Sequence, residues 1–221
     1  MRTLDWEIDL RDTPAAPFYM SLHALSDQLP QQNGRRMPLI SVITATYNAL
    51  DGLRGTVESV REQTLDGIEH VIVDGGSTDG TVEYLRSLGD TVRWVSEPDE
   101  GIADAMNKGV AMARGQYVLF IHADDTLRGA DVLSDVLAEG FGQDLISGQV
   151  VLIEKDGAER LRKVRNLGLL TELRMTSPHQ GLLTRKDLFE MIGGFDKKFR
   201  IAMDYDFLIR AKRAGASFRS K

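Results

Sequence analysis

From Leu39 onward the chain alternates two hydrophobic rhythms. Short apolar runs, Leu39 to Ala45, His70 to Val73, Val92 to Val95 and Tyr117 to Ile121, read as buried strands. Each is followed by apolar residues at helical spacing. Leu50, Leu53, Val57 and Val60 mark a first helix, Val82, Leu85 and Leu88 a second, Ile102, Met106, Val110 and Ala113 a third, and Val132, Val136 and Leu137 a fourth. Strands that are continuously apolar are covered on both faces, and strands separated by helices pair in parallel. The pattern therefore predicts an α/β fold, a mostly parallel sheet flanked by helices on both faces.

After Asp144 the rhythm loosens. A run from Leu145 to Ile153, a turn at Asp156-Gly157 and a basic stretch from Arg160 to Arg165 predict a hairpin or mixed strand pair at the sheet edge. Lysine and arginine there suit a guarded edge strand better than an anion site. Gln180 to Thr184 reads as a strand, Lys186 to Ile192 as a short helix ended by Gly193-Gly194, and Asp204 to Ala214 as a last helix. Residues 1–37 mix Asp, Pro, Gln and Gly without a period and read as an N-terminal extension, leaving 38–221 as one domain.

Composition narrows the chemistry. A net charge of -6 argues against non-specific nucleic-acid binding, and the absence of cysteine excludes disulfides and thiolate metal sites. Any metal must sit on Asp, Glu, His or carbonyl oxygen. No apolar run approaches the roughly 20 residues of a membrane helix, and Met1 to Leu10 carries acids where a signal peptide needs a basic and then an apolar stretch. The expectation is a cytoplasmic protein without a transmembrane segment.

In open parallel sheets ligands bind at the carboxyl ends of the strands, and three polar clusters fall there: Thr46-Tyr47-Asn48, Asp74 to Asp79, and Asp124-Asp125. Two adjacent carboxylates leaving a buried strand repel each other and resist desolvation, and a hard divalent cation relieves both. The alternative is a loop in which Asp124 or Asp125 caps the next helix. Glycines 75, 76 and 80 lack the G-x-G-x-x-G spacing of a dinucleotide site. Asp74, at a strand end, suits hydrogen bonds from a base or ribose, with Ser77 or Asp79 capping the following helix.

Taken in order, Thr46-Tyr47-Asn48, the turn Asp74 to Thr81, the run Glu100 to Gly109 and the pair Asp124-Asp125 resemble the signature of glycosyltransferase family 2, over about Pro38 to Ala214. The resemblance implies a GT-A fold, Rossmann-like, with 38–128 as the nucleotide-binding half and 129–221 as the acceptor and base half. It implies nucleotide contacts, usually to uridine, from Ala45, Thr46, Tyr47 and Asp74, with Asp104 nearby. It also implies Mn2+ or Mg2+ on Asp125, with Asp124 nearer the ribose. Ala202 to Phe207 resembles the family's acid-acid-x-acid segment, which makes Asp204 the base and leaves Asp206 a structural or acceptor-binding role; Met203 stands where many members have Glu. His179-Gln180 resembles a segment near the acceptor or diphosphate, with a satisfied core histidine as the equal alternative. His122 replaces a common Asn and Ala45 a common Pro.

The implied activity is inverting, metal-dependent hexosyl transfer from a nucleotide-sugar donor to a saccharide or lipid-linked acceptor in cell-envelope synthesis, with peripheral contact at the inner face of the membrane. A non-catalytic nucleotide-sugar-binding module and a sugar-nucleotide pyrophosphorylase are the competing readings, although Thr46 to Leu50 is not the basic glycine-rich loop the latter needs. An Asp-nucleophile phosphohydrolase would need D-x-D-x-T, which Asp124-Asp125-Thr126-Leu127 does not supply. Specificity is expected from 166–176 and 195–203.

Overall fold

The computed structural model describes residues 4–5, 31–32, 35–138, 142–154, 156–162, 179–199 and 201–220. The first half follows the predicted alternation: β1 (Ile40–Thr46), α1 (Leu50–Arg61), β2 (Ile68–Asp74), α2 (Thr81–Ser87), β3 (Arg93–Ser96), α3 (Ile102–Met112) and β4 (Tyr117–Phe120). Then come β5 (Asp125–Thr126), α4 (Val132–Leu137), β6 (Leu145–Ser147), β7 (Val150–Ile153), β8 (Glu159–Arg162), β9 (Leu182–Arg185), α5 (Lys186–Met191), α6 (Met203–Arg213) and β10 (Phe218–Ser220).

The main sheet has seven strands in the order β10-β6-β9-β4-β1-β2-β3. Only β9 is reversed, antiparallel to both β4 and β6, while the other neighbouring pairs are parallel. Strand side chains alternate between two apolar layers. Tyr117 and Leu119 of β4 join Val132, Leu133 and Val136 of α4, whereas Val118 and Phe120 join Met106 and Val110 of α3 and Phe207 and Leu208 of α6. Helices thus cover both faces, as the unbroken apolar strands require.

The run from Leu145 to Ile153 departs from expectation. It is not one edge strand but two strands in different sheets, broken at Gly148-Gln149. β6 lies inside the main sheet, and β7 joins a second sheet of order β8-β7-(Leu4–Asp5)-β5. Both segments carry buried apolar residues, and the break is marked only by the short polar interruption Ser147-Gly148-Gln149, a turn signal that the reading as one run passes over. The β7–β8 hairpin does form, with Glu154 and Ala158 bonded across the turn that holds Gly157 at φ 82°. Of the basic stretch, 163–165 lie outside the described residues, as does 166–176. Within 1–37, Leu4–Asp5 pairs in parallel with β5, and Gln31–Gln32 pairs with Arg35–Arg36. β10 was not expected; three residues carry too little periodicity to be recognised.

An aromatic cluster holds the C-terminal half against the strand ends. The Phe195 ring lies 5.2 Å from Phe120, 5.0 Å from Phe189 and 5.3 Å from Phe207. Asn107 on α3 fixes the same loop through both ends of its side-chain amide, Nδ2 donating to Phe195 O at 2.8 Å and Oδ1 accepting the Phe195 N–H at 3.0 Å. The entry to α6 is therefore set from α3 and β4.

Candidate active site

The turns after β1 and β2 are laced together. Asn48 N–H donates to Ser77 Oγ at 2.7 Å, and Asn48 Oδ1 accepts the Thr78 N–H at 2.8 Å. The cap position of α2 falls on Gly80, not on Ser77 or Asp79, but Asp79 one residue earlier still ties the turn: Oδ1 accepts the Thr81 N–H at 3.1 Å and its hydroxyl at 2.6 Å, while Oδ2 accepts the Leu50 N–H at 3.0 Å. The Thr81 hydroxyl foremost, with the Leu50 N–H, holds this carboxyl below its usual range.

Asp74 lies at the end of β2 but faces inward, fully buried. It accepts N–H groups from Gly76 at 3.2 Å and Ser77 at 3.0 Å, the Ser96 hydroxyl at 2.6 Å and the Ser77 hydroxyl. Four donors from two segments, the 76–77 turn and β3, make it the brace of this corner. Its β1 neighbour Thr46 is 6% exposed, and its hydroxyl has no hydrogen-bond partner among the described residues.

In front of these strand ends lies a cleft of about 560 Å³ lined by Tyr47, Gly75, Asp99, Ile102, Lys197 and Phe199, among others. Tyr47 is 64% exposed, offering a free ring face. A Cβ on Gly75 would lie 2.7 Å from Asp99 Oδ2 and 3.3 Å from the Tyr47 ring, so a larger residue there would displace the Asp99 carboxylate. Asp99 is held on its other oxygen by the Gly101 N–H at 2.8 Å. Sequence reasoning missed Asp99, although the Pro98-Asp99 turn closing β3 is a fourth polar cluster at a strand end.

Asp104 stands behind the cleft wall. Its carboxylate accepts the Glu100 N–H at 3.2 Å and reaches Lys108 at 3.3 Å and Lys197 at 3.2 Å. The Glu100 N–H foremost, then the two lysines, keeps this carboxyl low. Lys197 also bonds Glu100 at 2.8 Å, so it ties the loop before α6 to the start of α3.

The turn after β4 separates the two adjacent acids. Asp125 is 3% exposed, and its Oδ2 accepts the His122 N–H at 3.1 Å. Thr56 of α1 donates to Asp125 O at 2.8 Å. Asp124, at φ 84°, is only half-buried and leans on the first turn of α1, where its Oδ1 lies 1.7 Å from the place a Gly52 Cβ would take. Neither acid caps α4, whose cap position is Asp131.

Asp204 lies in the first turn of α6 and does not occupy the cap position, which falls on Ala202 at φ 65°. Its Oδ1 accepts the Tyr205 N–H at 2.9 Å, and its Oδ2 lies 3.1 Å from His179 Nδ1. His179 Nε2 in turn lies 2.8 Å from His122 Nε2. Burial, helped by nearby His179, pushes His122 down to about 3. Asp206 instead pairs with Arg210 at 2.7 Å, and Arg210 also donates to Ile192 O and Gly194 O, bracing the loop before α6.

The structure thus joins Asp204 to the Asp124-Asp125 turn through two histidines and sets Thr46 beside Asp74. Among the described residues, the lining of the large cleft includes neither Asp124, Asp125 nor Asp204. No group of three or more His, Asp or Glu among them is arranged to hold a metal by itself, and no helix among the described residues is long and apolar enough to cross a membrane.

The sequence matches the model of Glycosyl transferase family 2 over residues 41–196. It is 39% identical over 183 residues to an uncharacterised glycosyltransferase of Mycobacterium tuberculosis (strain H37Rv), covering 79% of this chain and 69% of that one. It is 35% identical over 187 residues to a PGL/p-HBAD biosynthesis glycosyltransferase of Mycobacterium bovis (strain BCG / Pasteur 1173P2), covering 78% and 69%. Among solved structures, the Pyrobaculum calidifontis mannosyltransferase PcManGT with GDP-Man and Mn2+ is similar at TM-score 0.61 and 22% identity, over 84% of this chain and 55% of that one. Staphylococcus aureus TarS 1-349 with UDP-GlcNAc is similar at TM-score 0.58 and 18% identity, over 83% and 58%. The chain therefore spans little more than half the length of these two structures, and they establish the GT-A fold. The extent of the family match and the identity to the mycobacterial enzymes make this chain a member of glycosyl transferase family 2.

Proposed function

We propose that the protein is an inverting, metal-dependent hexosyltransferase that moves a sugar from a nucleoside-diphosphate donor, a UDP-sugar, to a hydroxyl of a saccharide or lipid-linked acceptor. Cell-envelope glycan or glycolipid synthesis at the cytoplasmic face of the membrane is the setting this implies. The observation that carries the reading is the hydrogen-bonded path from Asp204 through His179 and His122 to the Asp124-Asp125 turn. It brings an acid from the C-terminal half to the strand ends where donor-binding residues gather.

Asp204 is the base. Its side chain is 22% exposed, open enough to receive a proton. The acceptor O–H proton passes to the carboxylate while the acceptor oxygen bonds to the anomeric carbon from the opposite face. The bond from that carbon to the diphosphate breaks, and the diphosphate leaves with the electron pair. One displacement inverts the configuration.

The nucleotide is assigned to the cleft beside Tyr47, Ala45 and Thr46, with the exposed Tyr47 ring suited to stacking and the unpaired Thr46 hydroxyl awaiting a partner. Asp74 serves this site by holding its corner, and Asp104 by fixing its wall. Adjacent carboxylates in a chain without cysteine suit Mn2+ or Mg2+, the remaining ligands coming from phosphate and water. Bound there, the ion supplies positive charge against the departing diphosphate. The burial of Asp125 argues for exchanging the two roles implied by resemblance, with Asp124 facing the metal and Asp125 securing the turn.

A panel of sugar nucleotides incubated with and without Mn2+, read by mass spectrometry for donor hydrolysis and transfer, tests the reading. Metal-dependent turnover of a UDP-sugar is expected, with an α-linked donor giving a β-linked product. Asp204→Asn should lower turnover by about 10²–10⁴-fold and leave UDP binding intact. Turnover unaffected by chelator, or retained in that variant, overturns the metal or the base respectively.

A further inference from the structure

We propose that His179 is a positioning residue for Asp204, its Nδ1–H orienting the carboxylate while its Nε2 is anchored by His122 on the metal-motif turn. The inference rests on Asp204 being the base and deepens that reading. An aspartate side chain has two rotatable bonds, and a base must hold its lone pair toward one proton. Here each oxygen has its own donor, Tyr205 N–H on Oδ1 and His179 Nδ1 on Oδ2.

The proton positions follow from the chemistry of the partners. An ionised carboxylate only accepts, so the hydrogen between His179 and Asp204 sits on Nδ1. Neutral His179 then carries a lone pair at Nε2, and the 2.8 Å contact requires the hydrogen on His122 Nε2. This leaves His122 Nδ1 a lone pair, and that nitrogen is buried with no partner among the described residues. The opposite polarity would bury an unpaired N–H there and require a charged His179. Orphaned buried N–H groups are the rarer case. Every hydrogen in the chain therefore points toward Asp204.

His122 is itself fixed by its backbone. Its N–H bonds Asp125 and its carbonyl accepts the Asp125 N–H at 3.0 Å, with the Thr56 hydroxyl that bonds Asp125 O lying 3.1 Å from the same carbonyl. The base is thus registered against the Asp124-Asp125 turn through side chains alone, across 57 and then 25 residues of sequence. With both ring nitrogens engaged and only 15% of its side chain exposed, His179 has no donor left for a diphosphate. It also differs from an ordinary core histidine such as His70, which pairs with the Thr44 hydroxyl.

Three substitutions separate positioning from packing. Asn places an amide N–H near the position of Nδ1, Gln places one near Nε2, and Ala removes both. With the UDP-sugar found by the panel, His179→Asn should stay within about threefold of wild-type kcat, while His179→Gln and His179→Ala lose about 10-fold to 100-fold at little-changed donor KM. Calorimetry with UDP and Mn2+ should give wild-type affinity in all three, which also shows them folded. In the wild type, long-range proton–nitrogen NMR should find the hydrogen on Nδ1 of His179 and on Nε2 of His122. Equal losses in the three variants, losses confined to KM, or an unprotonated His179 Nδ1 overturns the positioning role while Asp204 stands. Turnover surviving Asp204→Asn removes the base and this role with it.

Discussion

Asp124 and Asp125 share a turn and a charge but not an environment. The left-handed backbone at Asp124 turns its carboxylate onto the first turn of α1, whereas Asp125 folds back to its own turn and is enclosed. Asp125→Asn should therefore act on stability, because the bond from the His122 N–H loses its charge assistance; a loss of about 1 kcal/mol is expected from the urea midpoint. Asp124→Asn should leave that midpoint nearly unchanged and weaken Mn2+-dependent UDP binding measured by calorimetry. The reverse pattern would return the metal to Asp125. Two adjacent letters identify a candidate metal motif but not which acid the turn buries, since that depends on φ at one residue. Asp74 and Asp104 show the same limit: their places at strand and helix ends were legible, but not the serine hydroxyls and lysines that occupy their carboxylates.

Elements were more legible than contacts, because three buried strands and the half-buried edge strand β3, alternating with amphipathic helices, leave two distinct periods in the sequence. The signal was weak where a break is only three residues long, as at Ser147-Gly148-Gln149, and where a strand was too short to show a period, as in β10. Helix packing gives a test in which one substitution type has opposite signs. A Cβ on Gly109 of α3 would lie 2.3 Å from Ile43 Cγ2 of β1, so Gly109→Ala must push α3 off the sheet. A loss of about 1–3 kcal/mol follows from overpacking. Gly55 of α1 faces only Thr126 Cγ2 at 3.9 Å, so Gly55→Ala should gain up to about 1 kcal/mol from helix propensity. Urea midpoints for the two variants should move in opposite directions, and a shared direction would refute the close packing of α3. Because α3 begins at Ile102 on the cleft wall, Gly109→Ala should also weaken UDP binding.

At the scale of the whole molecule the family and fold were readable because ordered motifs report how strands and turns follow one another. Which half supplies which function depends on long-range contacts such as His122 to His179, for which neighbouring residues give no signal. Folding stability integrates such contacts, and its pH dependence provides a global test through His70. Burial pushes this side chain down from 6.5 to about 4, so the folded protein holds it neutral where the unfolded chain takes a proton. The unfolded state therefore binds more protons between those values, and stability must fall as pH drops through them. The contribution is fully present above about 6.5, declines toward 4 and then levels off. At pH 5 the loss from this one group is on the order of 2 kcal/mol, using about 1.4 kcal/mol per unit. Carboxylates also begin to titrate there, so the comparison is with His70→Gln, which offers Thr44 an amide but cannot titrate. Urea midpoints at pH 7.5 and pH 5 should converge more closely in that variant than in the wild type. An unchanged difference between the two pH values would show that His70 is not held neutral in the fold.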